Sequence, residues 1–159
     1  MRDSLALALP KLTIKLPMML AMMVSAVIAF AETPTRSDTA LAIRAGEPSL
    51  TWGPCPAFFS STCRIAVLHG DPGQPNADVF FRVAPGDELP HHWHSSAERM
   101  VLVAGRLSVQ YDGQAAVVLE PGMYAYGPPK LPHVGRCESD DACVLFIAFE
   151  GPVDAFLKE

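Results

Sequence analysis

From Cys63 to Glu150 the chain is a series of short β-favouring runs cut by glycine and proline, and that punctuation narrows the possible folds more than any other feature. CRIAVLH (63–69), VFFRVA (79–84), ERMVLVA (98–104), RLSVQY (106–111), QAAVVLE (114–120), MYAY (123–126) and CVLFIAFE (143–150) each stop at a Gly, Pro or Asp-Gly signal. Branched and aromatic side chains suit a pleated, half-buried surface. Runs of roughly four to eight such residues, spaced about 8–12 apart, read as an all-β sandwich or barrel. Two of the boundaries are tight turns by chemistry. Asp112-Gly113 is a hairpin signal, and Pro121-Gly122 is the central pair of a type II turn, where glycine supplies positive φ. Upstream, LAIRA (41–45) reads as a short edge strand, and 47–62 as a loop wrapping the domain with Trp52, Phe58 and Phe59 as plugs. VDAFLKE at the end reads as a single helical turn.

The first 31 residues read as a separate unit. Arg2, Lys11 and Lys15 precede the uncharged run LPMMLAMMVSAVIAFA (16–31), which ends in Ala29-Phe30-Ala31 ahead of a polar stretch. A basic start, an apolar centre and an A-x-A site make a secretory signal peptide over 1–31. A membrane anchor is the competing reading, but the run contains Pro17 and falls short of the roughly 20 residues a spanning helix needs. The expected organisation is a signal peptide (1–31), an N-terminal extension and wrapping loop (32–62), a β-barrel (63–150) and a C-terminal tail (151–159). The expected location is the periplasm or the outside of the cell, with no stable membrane insertion after cleavage.

Without Arg2, Lys11, Lys15 and Asp3, the 12 basic and 17 acidic residues become 9 and 16, a net charge of −7. An acidic chain with no basic run is a poor partner for nucleic acid or an anionic membrane surface. Cys55, Cys63, Cys137 and Cys143 form an even set, as suits two disulfides in an oxidising compartment. Three pairings are possible. The local one, Cys55–Cys63 with Cys137–Cys143, is preferred because each bond would clamp a short Pro-rich or acidic loop. Thiolate metal ligation is the alternative, but these are not zinc-ribbon spacings.

The chemistry concentrates in GDELPHHWHSSAERMVLVAG (86–105). On a strand, alternate side chains share a face, so His92 and His94 lie together about 7 Å apart while Trp93 points away. Glu98 shares their parity and can rejoin the face after the Ser95-Ser96-Ala97 turn. His91 has the wrong parity and faces solvent, and His69 is a loop or edge residue. His133 is the candidate third imidazole. Met100 and Leu102 share Glu98's parity and line the interior. Tyr124 and Tyr126 share a face on the strand before His133, which offers one phenol to a bound substrate or places both in aromatic packing. Arg82, Arg99 and Arg106 are outer-face charges. Three imidazoles and a carboxylate suit Fe, Mn, Co, Ni, Cu or Zn, and do not suit Ca or Mg, which take oxygen shells.

These residues resemble the cupin family. Gly86, His92, His94, Glu98 and Gly105 fall in register on the five fixed positions of the first cupin motif, G-x5-H-x-H-x3-E-x6-G. Gly122, Pro128 and His133 match the second, G-x5-P-x-G-x2-H-x3-N, while Lys130 stands where Gly is usual and Cys137 where Asn is usual. The resemblance implies an all-β, antiparallel jelly-roll barrel of the small single-domain type, holding one divalent transition metal on His92, His94, Glu98 and His133. It also implies a small-molecule ligand and an exported enzyme of dioxygenase, isomerase or decarboxylase type. Glu98 would complete the metal shell or act as general base. The alternative function is a non-catalytic exported module that senses or buffers a metal or small ligand. A homodimer formed through edge strands is a further possibility.

Overall fold

The computed structural model describes residues 40–159; the signal-peptide reading of 1–31 and the polar start lie outside them. Among the described residues eleven strands are formed, in chain order: β1 Gly53–Pro54, β2 Arg64–His69, β3 Asp78–Val83, β4 Glu88–Trp93, β5 Glu98–Ala104, β6 Leu107–Tyr111, β7 Val117–Leu119, β8 Tyr124–Gly127, β9 His133–Cys137, β10 Cys143–Phe149 and β11 Phe156–Leu157. One sheet runs β1-β2-β3-β10-β5-β8 and the other β11-β4-β9-β6-β7. The strand pairs are antiparallel, and consecutive strands alternate between sheets often enough to give a jelly roll. Among the described residues no helix is long and apolar enough to cross a membrane.

Strand parity explains where the core lies. In β5 the alternation buries Glu98, Met100 and Leu102, leaving Arg99 and Val103 outside. In β10 Leu145, Ile147 and Phe149 face the same interior, and in β6 Leu107, Val109 and Tyr111 close it from the other sheet. Leu102, at 0% exposure, marks its centre. The outward arginines behave as their parity dictates. Arg99 pairs with Glu150 at 2.6 Å in solvent, and Arg82 lies 4.3 Å from the ring centroid of Trp52.

The two chemically marked turns form, with φ of 75° at Gly113 and 88° at Gly122. Two terminal expectations are corrected. Residues 41–45 take no place in a ladder; the chain instead folds into successive turns, with Glu47 N–H donating to Arg44 C=O and Leu50 N–H to Glu47 C=O. The C-terminal segment is not helical. It adds β11 to the edge of β4, pairing Phe156 with Trp93 and Leu157 with His92, because Phe156 stacks on Trp93 with ring centroids 4.6 Å apart. Tertiary contact decides over local helical preference here.

Both disulfides take the local pairing, Cys55–Cys63 and Cys137–Cys143. The first fastens the wrapping loop whose Phe59 enters the core, and the second joins the end of β9 to the start of β10. Closing loops this short should contribute roughly 2–3 kcal/mol each. Replacing Cys137 and Cys143 together by serine is expected to lower unfolding stability by about that amount, measured by urea denaturation against the oxidised wild type.

Candidate metal centre

The histidine cluster is built by strand register. His92 near the end of β4 pairs directly with His133 at the start of β9, across a register shift between Leu89 and His92. His94, just past the end of β4, returns to the same face, and Glu98 opens β5. All four side chains are buried, with His92 and Glu98 each 3% exposed. The imidazole centroids of His92 lie 4.2 Å from His133 and 4.9 Å from His94. Candidate ligand atoms of His92, His94 and His133 all lie within 4.8 Å of one another. Glu98 meets this trio at its edge, its Oε2 lying 3.3 Å from His94 Nε2.

Each imidazole is oriented from behind. His92 Nδ1–H donates to Pro90 C=O at 2.6 Å, His94 Nδ1–H to Asp154 C=O, and His133 Nδ1–H to Leu131 C=O over a longer 3.4 Å. A carbonyl partner fixes the Nδ1–H tautomer and leaves the Nε2 lone pair free, as metal-ligating imidazoles require. The donor set therefore fits a transition ion. Phe59 packs edge-on against His92, centroids 4.9 Å apart, so the wrapping loop also steadies the site.

Protonation follows from burial. Desolvation lowers His92 from its ordinary 6.5 to about 4, with His94 and His91 adding repulsion against the backbone bond to Pro90. Desolvation, then the charges of His92 and His94, lowers His133 to about 3, and burial lowers His94 as well. All three are neutral near pH 7 and ready to ligate. Glu98 moves the other way, raised by desolvation and then by Asp154 from 4.5 to about 8. At neutral pH in the metal-free protein it keeps its proton, so the contact with His94 is neutral rather than an ion pair. A divalent cation on the imidazoles would favour the ionised carboxylate. Burial, with the Glu98 charge beside it, holds the Tyr111 phenol well above its ordinary range.

The other sequence expectations sort clearly. His91 is half-exposed and pairs with Asp112 at 2.8 Å, and His69 ends β2 in solvent. Tyr124 and Tyr126 are 60% and 49% exposed, so neither phenol enters the interior. The phenol that does is Tyr111, which pairs with His133 in register and packs against it with its ring tilted, 4.7 Å between centroids. Its odd number signals nothing in sequence, because parity is only comparable within a strand. Asp154 was equally illegible there: its carbonyl holds His94, while its carboxylate accepts from the Ser95 N–H at 2.9 Å and from the Ser95 hydroxyl. Lys130 occupies a left-handed position, φ 62°, which explains why glycine is usual there; its N–H donates to His94 C=O at 2.8 Å.

Residues 79–149 match the family model described as the cupin domain. The chain carries a cupin domain. Among solved structures, this cupin resembles a cupin-2 domain protein of Rhodospirillum rubrum at 19% identity, covering 76% of this chain and 83% of that one, with a TM-score of 0.60. It resembles a DMSP lyase of Ruegeria pomeroyi at 19% identity, covering 69% of this chain and 61% of that one, TM-score 0.60. It also resembles the polyketide cyclase RemF of Streptomyces resistomycificus at 17% identity, covering 75% and 89%, TM-score 0.59. The chain spans under two thirds of the DMSP lyase structures it matches, 63% and 61% of their lengths. No curated protein sequence gives a match. At these identities the likeness establishes the fold.

Two tests follow from the geometry. The Glu98 pKa is raised on folding, so its contribution to stability is fully present below about 4.5 and lost as pH rises through about 8. The histidines are depressed, so theirs is present above 6.5 and lost as pH falls toward about 3–4. In metal-free protein, Glu98→Gln is expected to flatten the alkaline limb of a Tm-against-pH curve and leave the acid limb in place; an unchanged alkaline limb would count against a buried, protonated Glu98. Separately, ending the chain after Gly151 removes β11 and the Asp154 carbonyl. It is expected to weaken zinc binding about 10–100-fold by competitive chelator titration.

Proposed function

We propose that this cupin is an exported, mononuclear metalloenzyme acting on a small oxygenated organic molecule, with His92, His94, His133 and Glu98 holding one divalent transition metal. Fe, Mn, Ni, Cu or Zn would satisfy the donor set. The observation that carries this reading is the convergence of three imidazoles with their Nδ1 atoms tied back, facing a cavity of about 210 Å³ inside the barrel. A bound metal there would supply Lewis acidity or redox chemistry to a ligand oxygen. His92, His94 and His133 are neutral donors. Glu98 joins them as a ligand or leaves to take a proton from the substrate.

The alternative is a non-catalytic module that binds or senses a metal or a small ligand, and the cavity tells against the part of it that would only store an ion. A site that only stores an ion needs a closed shell, whereas this one opens onto room for an organic molecule. A lyase and a cyclase among the proteins of this fold are compatible with such chemistry, and fold alone selects no reaction. Export is supported by the two disulfides and by the reading of residues 1–31 as a signal peptide.

The test is metal content by mass spectrometry on protein recovered from the periplasm. About one equivalent of a transition metal is expected, and its loss in a His92→Ala/His94→Ala double variant. In cobalt-substituted protein, small carbonyl compounds should shift the visible absorption bands. Absence of metal from the wild type would remove the metal reading. A metal whose spectrum no small molecule perturbs would leave the buffering module.

A further inference from the structure

Strand register lets the barrel interior be followed level by level, because side chains two residues apart on one face are about 7 Å apart along a strand. At the first level one sheet sets His92, His133 and Tyr111 side by side, and the other pairs Glu98 with Phe149. At the second, Leu89 and Val109 flank Gly135 in the first sheet, and Met100 pairs with Ile147 in the other. At the third, Leu107 lies beside Leu119, and Leu145 beside Phe81. Apart from Gly135, these second- and third-level residues line the same cavity as the histidines.

The polar groups stop at the first level. The polar side chains that line the cavity are His92, His94, Glu98, Tyr111, His133 and Asp154. His94 and Asp154 belong to that same end, since the Asp154 carbonyl accepts from His94 Nδ1–H. Tyr111 offers the cavity no donor. Its hydroxyl is buried in the notch left by Gly127, where a Cβ would lie 2.6 Å from Tyr111 Oη and 3.2 Å from Glu98 Oε2. Among the described residues no serine, threonine, asparagine, glutamine, lysine or arginine lines the cavity. As for size, an apolar cavity of about 150 Å³ holds benzene. The cavity of about 210 Å³ here suits a body of about eight carbons or fewer by proportion.

We infer that this cavity takes a single-headed ligand, with one oxygen-bearing group at the level of the histidines and Glu98 and an uncharged hydrocarbon body along the second and third levels. The inference rests on the reading of the barrel interior as a small-molecule site and names the substrate class for it. A second polar group on the body would give up its water and meet only Val109, Met100, Ile147 and the leucines beyond them, and a charge there would cost far more. Sugars, other polyols and dicarboxylates are rejected on that ground. The side chains of the second and third levels are thus the specificity-determining ones, and the first level supplies the single polar contact.

The test uses three probes of one chain length, 2-heptanone, 2,6-heptanedione and 6-oxoheptanoate, titrated by protein-observed NMR into metal-free and zinc-loaded protein. Whichever end of the dione or the keto acid meets the histidines, the other end carries a polar group into the apolar levels. Both forms of the protein are expected to bind 2-heptanone more than about ten-fold tighter than either of the others. The terminal methyl of its chain should show nuclear Overhauser contacts with the methyl groups of Leu107, Leu119 and Leu145. Val109→Thr places a hydroxyl at the second level with little change of shape, and should narrow the preference for 2-heptanone over the dione about three-fold or more. If that variant does not fold, the wild-type contacts decide. Equal affinities, chain contacts away from those three leucines, a preference unmoved in Val109→Thr, or no binding of 2-heptanone would each overturn the inference. Zinc uptake is read on the same samples. A chain that takes up no zinc but keeps this order of affinities would retire the metal centre and leave the single-headed cavity, and zinc uptake with three equal affinities would do the reverse.

Discussion

The pairing of His92 with His133 across β4 and β9 is the contact on which the interior depends. It brings the two motif segments, some forty residues apart in the chain, onto one face of one sheet. It sets the two imidazoles 4.2 Å apart and leaves His94 to complete the trio. A one-residue slip in this ladder would turn one histidine to solvent and carry its neighbours with it. The register is therefore held redundantly: Leu89 pairs with Gly135 and Glu88 with Arg136 further along the same ladder, and the Cys137–Cys143 bond closes its far end.

Burying four titratable side chains in one place has an electrostatic consequence that shapes the whole site. Neutral imidazoles and a protonated carboxyl group tolerate an apolar barrel, while their charged forms do not. The interior thus holds these four side chains in states that a metal ion could use with at most one proton displaced. The backbone carbonyls of Pro90, Asp154 and Leu131 do the orienting. They come from β4 itself, from the C-terminal segment and from the β8–β9 connection, so the site is supported by two further stretches as well as by its own strand.

Much of this was legible in advance. Gly and Pro spacing gave the all-β class because strand ends need turns, and turns need those residues. The H-x-H parity and the motif register located His92, His94, Glu98 and His133, all of which are buried together. The local cysteine pairing, preferred among three because it clamps a short Pro-rich and a short acidic loop, is the one formed. What was not legible depended on neighbours. Residues 41–45 have strand-like composition but no ladder partner, and the C-terminal segment forms β11 because Trp93 offers Phe156 a surface to stack on. Tyr124 and Tyr126 looked like candidate phenols from parity alone. They are exposed because parity says which residues share a face and not which face is inside.

By itself, then, the sequence determined the β-class, the turns and the four residues of the candidate centre, since each of these follows from local chemistry or fixed spacing, and it left the choice among three cysteine pairings to the fold. Only the tertiary structure decided that Asp154 holds His94, that Phe59 braces His92, and that Tyr111 meets Glu98 at Gly127. Those contacts join residues far apart in the chain through the packing of two sheets and the docking of both terminal segments. No local pattern encodes such meetings, because they depend on strand order and register across the barrel.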